Sequence, residues 1–126
     1  MKIRYGFVTN SSSSSFILAR KATVDVNKLA SFIYKHGSLG TMIQNFEYLS
    51  WPDEITDAYE NNNPKLEEMI AKYIAEELTN YSVDMELGDW MVSAGEASNE
   101  TENVIDYFLY NFEGFDSDDF KTTLVW

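Results

Sequence analysis

The chain has 126 residues, of which 44% are hydrophobic and 15% aromatic, and its formal net charge is −12. This composition is typical of a single folded domain and excludes a disordered tail. Cysteine is absent, which excludes disulfides, thiolate metal sites and a cysteine nucleophile. No apolar run approaches the length that crosses a membrane, so we expect no membrane association and a cytoplasmic protein.

The first twenty residues predict a β-hairpin. Residues 3–7 alternate apolar side chains with polar or small ones, as a half-buried strand does, and the apolar run at 16–19 predicts the returning strand. Between these strands, Asn10 to Ser14 favour a turn. Because consecutive small residues can also point N–H groups at an anion, we weigh a polar loop against an anion-binding loop. The candidate anion-binding residues are Ser11, Ser12, Ser13 and Ser14.

Helical segments are predicted next along the chain. Asp25 caps a helix from 26 to about 36, whose apolar side chains recur at helical spacing. A weaker helix covers 41–49, and Pro52 opens a short one. The strongest helix is capped at Asn63 and reaches about residue 79. We expect these helices to cover one face of a sheet.

The stretch that follows predicts strands. Residues 81–87 alternate apolar and polar side chains without a break, which is typical of a strand with one solvated face. Residues 88–89 predict a turn or bulge, after which 90–92 either continue the strand or pair back. Residues 93–98 are expected to be a loop.

The end of the chain completes an α+β fold. Asn99 is expected to cap a helix that buries apolar residues from 104 to 112, and the alternation at 120–126 predicts a terminal strand. The predicted architecture is a single domain over residues 1–126. Its small, mainly antiparallel sheet consists of the N-terminal hairpin, 81–87 and 120–126, covered by three to four helices.

Charge is distributed unevenly along the sequence. Residues 1–22 carry four basic residues and no acid, whereas residues 84–119 carry eleven carboxylates and no lysine or arginine. Such a field repels nucleic acid and attracts basic surfaces. We therefore expect a protein partner with a basic surface and no direct contact with nucleic acid. The candidate partner-binding residues are Asp84, Glu86, Asp89, Glu100, Glu102, Asp106, Asp116, Asp118 and Asp119.

Signatures of catalysis and of metal binding are weak. His36 is the only histidine, and its place in the last turn of a helix, where a positive charge suits the dipole, explains it without catalysis. The acidic run at 116–119 lacks the calcium-loop pattern. Asp84 and Glu86 share a strand face at roughly 7 Å, a spacing known from glycosidases, but a solvated face is the simpler interpretation. We expect no cofactor, and the sequence favours a non-enzymatic role while leaving an enzyme open.

Residues 1–18, with the sequence MKIRYGFVTNSSSSSFIL, resemble a leader found on small uncharacterised proteins of bacteriophages and mobile elements. Those proteins begin with a basic residue followed by G-F-V-S-N-S-S-S-S-S-F, and Thr9 here stands where they have serine. The resemblance covers about one seventh of the chain. It implies a phage-type origin and hence a bacterial host cytoplasm, and it implies no activity.

The leading hypothesis is a non-enzymatic acidic protein that occupies a basic surface of a host or defence protein, as an inhibitor or a nucleic-acid mimic. Duplex DNA presents about one charge per 1.7 Å of its axis, so a carboxylate-lined surface can imitate it. One alternative is acidity that serves solubility alone. Others are a virion or assembly component that pairs through the hairpin edge, and an enzyme or phosphate-binding protein that uses the serines. The sequence leaves the oligomeric state open.

Overall fold

The structure, a computed structural model, describes residues 13–36, 39–80, 85–98, 102–111 and 117–121. These residues form the α+β fold expected from the sequence, with a four-stranded antiparallel sheet and five α-helices. In chain order the elements are β1 (Ser13–Lys21), α1 (Val26–His36), α2 (Leu39–Gln44), a 3-10 turn (Phe46–Tyr48), α3 (Asp53–Glu60), α4 (Leu66–Thr79), β2 (Met85–Leu87), β3 (Trp90–Ser98), α5 (Val104–Asn111) and β4 (Phe120–Lys121).

Strand β1 lies inside the sheet, whose strand order is β2-β3-β1-β4. It pairs antiparallel with β3 along its whole length, from Ser13 opposite Ser98 to Lys21 opposite Trp90. Strand β4 adds two residue pairs on the other side of β1, near its C-terminal end. The end of β1 is therefore the place where three strands meet.

The serine run is not a turn where the structure describes it. Ser13 and Ser14, predicted as part of the hairpin turn, are the first residues of β1 and pair with Ser98 and Ala97 of β3. That part of the turn prediction was wrong, because the β3 ladder outweighs the local preference of serine for turns. The predicted first arm of the hairpin, 3–7, lies outside the described residues.

Strand β3 is longer than its sequence predicts. It reaches Ser98, so the loop predicted at 93–98 is in fact strand. These residues are small or polar, and their pairing with β1, rather than their own propensity, makes them extended. Strands β2 and β3 form a hairpin, which is the pairing-back alternative. Gly88 has φ of 61°, which fits the first position of a two-residue hairpin turn. Of the predicted strand at 81–87, the part at 81–84 lies outside the described residues.

Helices α1 and α4 follow their predictions closely. The Asp25 carboxylate accepts a hydrogen bond from the Asn27 backbone N–H at 2.6 Å, as an N-terminal cap does. Helix α4 begins at Leu66, slightly later than expected, because the residues before it form a turn. In that turn the Asn63 side chain accepts a hydrogen bond from the Lys65 backbone N–H at 2.9 Å.

The other helices differ more from expectation. The helix predicted over 41–49 is divided into α2 and the 3-10 turn. Helix α5 is capped by Asn103, whose side-chain oxygen accepts hydrogen bonds from the backbone N–H groups of Ile105 and Asp106 at 2.9 and 3.0 Å. The predicted cap, Asn99, lies outside the described residues.

All five helices contribute to one hydrophobic core. Their buried side chains pack together with Leu18 of β1 and Phe120 of β4, which point to the helical side of the sheet. Ile17 and Ala19 of β1 alternate with Leu18 and form a second, smaller buried cluster with Val92 of β3. The main core therefore lies between the helices and one face of the sheet, and the smaller cluster lies on the opposite face.

Candidate functional site

The predicted partner-binding carboxylates fall into two separate regions of the described structure. Asp84, Glu100 and Asp116 lie outside the described residues. The first region is the end of the sheet where β1 ends, and it holds Glu86, Asp89, Asp118 and Asp119. The second region is the start of α5, and it holds Glu102 and Asp106.

Two backbone hydrogen bonds build the first region, which we call the sheet end. The Lys21 N–H donates to the Asp119 carbonyl at 2.9 Å, and the Ala22 N–H donates to the Asp89 carbonyl at 3.1 Å. These bonds hold the β2–β3 turn and the segment before β4 on either side of the last residues of β1. Carboxylates that are distant in the sequence are thereby brought to one place.

The fold also brings lysines to the sheet end. Lys28 of α1 forms an ion pair with Asp119. The hydrogen bond that Lys28 donates to the Asp119 carboxylate, followed by the Coulombic attraction between them, raises the pKa of Lys28 above its ordinary value. The Lys21 and Lys121 ammonium groups lie 5.7 and 5.9 Å from the centroid of the Trp90 ring. The acidic stretch is free of basic residues in the sequence, but it is not free of basic neighbours in three dimensions.

Hydrogen bonds join the second region to the loop before α3. The Ser50 N–H donates to the Glu102 carbonyl at 2.9 Å, and its hydroxyl donates to the Glu102 carboxylate at 3.3 Å. Burial raises the pKa of the Asp106 carboxyl, which lies in the first turn of α5. Strand β3 runs from Trp90 at the sheet end to Ser98, about 26 Å at 3.3 Å per residue. The two regions are therefore far apart.

Helix α3 holds a row of carboxylates that sequence reasoning missed. Asp53, Asp57 and Glu60 recur at i, i+4 and i+7 and are all exposed, while Ile55 and Ala58 on the opposite side are buried. The helix contains no lysine or arginine. We call these three carboxylates the α3 stripe, which extends about 10 Å at 1.5 Å per residue.

One carboxylate of the sheet end, Asp119, forms an ion pair, whereas none of the α3 stripe does among the described residues. Within the described residues, Asp119 is the only carboxylate that forms an ion pair. The stripe could have been found from the sequence by its helical spacing between 53 and 60. The number of carboxylates per residue favoured residues 84–119 instead. Such a count takes no account of the lysines that folding brings near those carboxylates.

A groove of about 430 Å³ lies between α1 and residues 117–120. His36 lines this groove together with Phe32, and the two ring centroids are 4.8 Å apart. Lys28 and Asp119 line it as well, so their ion pair spans the groove from the helix to the segment before β4.

Of the candidate anion-binding serines, Ser13 and Ser14 lie in β1, and Ser11 and Ser12 lie outside the described residues.

The described residues also bear on metal binding and on membrane crossing. In the described ranges, no three histidine or carboxylate side chains are grouped so that they could hold a metal ion. None of the helices in this part of the chain combines the length and apolar character that a bilayer crossing requires. Protein-family models, curated proteins and solved structures contain no match to the chain.

Proposed function

We propose that this protein is a non-enzymatic acidic interaction protein that binds a basic surface of another protein, with the α3 stripe as the contact. The observation that supports this most is the exposure of Asp53, Asp57 and Glu60 without an ion-pair partner among the described residues. The sheet end is less suited to this role, because Lys28 already pairs with Asp119 there. The resemblance of residues 1–18 to phage leaders supports a partner in a bacterial host.

The stripe is a source of repulsion within the free protein. Asp53 and Asp57 are four residues apart on one helix, and Asp57 and Glu60 are three apart. Like charges at these spacings destabilise a helix by about 0.2–0.5 kcal/mol per pair, although Asp53 also gains from the positive end of the helix dipole. A basic partner would remove this repulsion, so the charges that disfavour the free helix favour the complex.

The spacing of the stripe supports a partner that binds nucleic acid. The stripe presents about one charge per 5 Å of helix axis, compared with one per 3.4 Å on each strand of duplex DNA. The two charge densities are of the same order. We therefore propose that the basic surface is a nucleic-acid-binding site and that occupying it inhibits the partner.

The test is affinity capture from a nuclease-treated bacterial lysate, with the full chain as bait. Three baits are compared: the natural protein, the stripe variant D53N/D57N/E60Q, and the control E86Q/D89N/D118N. The control removes the same amount of charge at the sheet end. We expect the natural protein and the control to retain a basic protein at low salt, and the stripe variant to lose it.

Each other outcome has a defined meaning. If the control loses the partner and the stripe variant keeps it, the function stands and the stripe is the wrong surface. If all three baits retain the same protein equally at low and high salt, carboxylates do not drive the association and the proposal fails, because contacts between exposed charges are screened by salt. If no bait retains a basic protein, acidity for solubility alone is the better account.

A further inference from the structure

Helix α1 is cationic in a strongly acidic protein. It carries Lys28, Lys35 and His36 and contains no aspartate or glutamate, whereas α3, α4 and α5 each contain acidic residues. Lys28, Phe32 and Lys35 recur at i, i+4 and i+7, which places their side chains on one face of the helix. This face lines the 430 Å³ groove. The cationic side of α1 is therefore directed at a cavity.

The groove has a charge difference between its two ends. At the Lys28 end, the ammonium group is paired with Asp119, and Asp118 lies near enough to act on Lys28 electrostatically. Lys35 lies seven residues further along α1, about 10 Å away at 1.5 Å per residue. Among the described residues Lys35 forms no ion pair. Asp118 and Asp119 are the groove's only described acidic residues, so no carboxylate in the described part of the chain pairs with Lys35 at the other end.

Aromatic and apolar side chains lie between these ends. The Phe32 ring is 4.8 Å from the His36 ring, tilted by 42°, and both line the groove. Leu29 and Phe120 also line the groove and are buried in the core. The volume is within the range of roughly 300–1,000 Å³ that is usual for small-molecule sites. An aromatic surface beside a lysine that has no ion-pair partner among the described residues is suited to a flat molecule that carries a negative group.

We propose that this groove binds a small organic anion with an aromatic body, its ring against Phe32 and its negative group toward Lys35 and His36. This site goes beyond the proposed interaction function and does not depend on it. No residue of the α3 stripe lines the groove. Either proposal can therefore fail while the other stands.

The test uses 8-anilinonaphthalene-1-sulfonate, a fluorescent aromatic sulfonate, titrated into the folded full chain. We expect saturable binding that Lys35→Gln weakens by about 1.5- to 5-fold, the range for one exposed charge contact. Lys72→Gln is the matched control, since it removes an exposed lysine of α4 that does not line the groove. This control should leave the affinity unchanged.

Two further measurements make the result decisive. The uncharged analogue N-phenyl-1-naphthylamine should bind more weakly than the sulfonate. In a two-dimensional amide spectrum the sulfonate should shift signals of residues 28–36 and 117–120 while the rest of the spectrum stays native. Absence of binding, equal weakening by both lysine substitutions, equal affinity for the neutral analogue, or shifts confined to other residues would each overturn the proposal.

Discussion

Lys28 near the start of α1 and Asp119 just before β4 form an ion pair that joins the helical layer to the edge of the sheet. The Asp119 carbonyl also accepts the Lys21 N–H, so the same residue binds β1 through its backbone and α1 through its side chain. Asp119 thus links three elements at the sheet end, which explains why a carboxylate predicted to face a partner has a structural role.

The first prediction concerns this ion pair. Lys28→Gln should destabilise the protein slightly at low salt and neutral pH, because the Lys28 side chain is 65% exposed and the attraction is screened. Urea denaturation at low and at about 1 M salt measures this loss, which should shrink at high salt. A loss of equal size at both salt concentrations would show that Lys28 acts through packing rather than charge.

The stabilisation that the Lys28–Asp119 ion pair provides also depends on pH. The pKa of Lys28 is raised in the folded protein, so the folded state holds this proton more tightly than the unfolded chain does. The stabilisation is complete below the ordinary value of 10.5 and is lost as pH rises through the higher folded value. As pH rises from neutral, the difference between the natural protein and Lys28→Gln should therefore persist until strongly alkaline pH and disappear there.

The second prediction concerns Asp106. Burial raises the pKa of its carboxyl, so the folded state disfavours the charged form relative to the unfolded chain. Below pH 3.8, the ordinary pKa of an aspartate, the burial of the Asp106 carboxyl has no pH-dependent effect on stability. As pH rises above that value, ionisation of this carboxyl increasingly destabilises the folded state. Asp106→Asn should therefore raise the free energy of unfolding at pH 7 and lose this advantage in acid.

Urea denaturation of Asp106→Asn at neutral and acidic pH measures the effect. Glu47→Gln is the control, because Glu47 is exposed and its substitution should change stability by less than about 0.5 kcal/mol. If Asp106→Asn lowered stability at pH 7, the favourable field of the α5 N-terminus would outweigh the burial of the carboxyl.

The third prediction compares two glycines that differ in backbone conformation. A Cβ atom at Gly40 or at Gly88 would meet no other atom within 4 Å, so space does not distinguish them. Gly40 lies in α2, and Gly40→Ala should stabilise the protein by up to about 1 kcal/mol. Gly88 has φ of 61°, and Gly88→Ala should destabilise it by about 1–2 kcal/mol. Denaturation midpoints of the two variants should move in opposite directions, and movement in the same direction would contradict the assigned turn at Gly88.

Capping residues, helical spacing and turn glycines predicted the elements whose formation depends on neighbouring residues in the sequence. Helix α1 has an acidic cap and apolar residues at helical spacing, and both features survive in the structure. The hairpin of β2 and β3 was among the alternatives because Gly88 interrupts the alternation. The α+β class followed from the succession of these elements.

Contacts between distant residues account for what the sequence did not predict. Residues 13–15 of β1 and 93–98 of β3 are extended because β1 and β3 pair with each other. Neither stretch has a strong intrinsic preference for β-strand. The sequence likewise does not show that Lys28 and Lys21 lie near the acidic sheet end, because folding brings them there. The α3 stripe was overlooked because the density of charge, rather than its helical spacing, guided the choice of candidate residues.

The most direct measurement is the salt dependence of affinity between the captured partner and two proteins, the natural chain and D53N/D57N/E60Q. Binding is titrated from about 0.05 to about 0.5 M salt, a range over which screening of exposed charges becomes strong. If the α3 stripe carries the contact, the natural protein should lose affinity steeply with salt, and the variant should bind weakly with a much shallower dependence. Equal affinities and equal salt dependences for the two proteins would contradict the account.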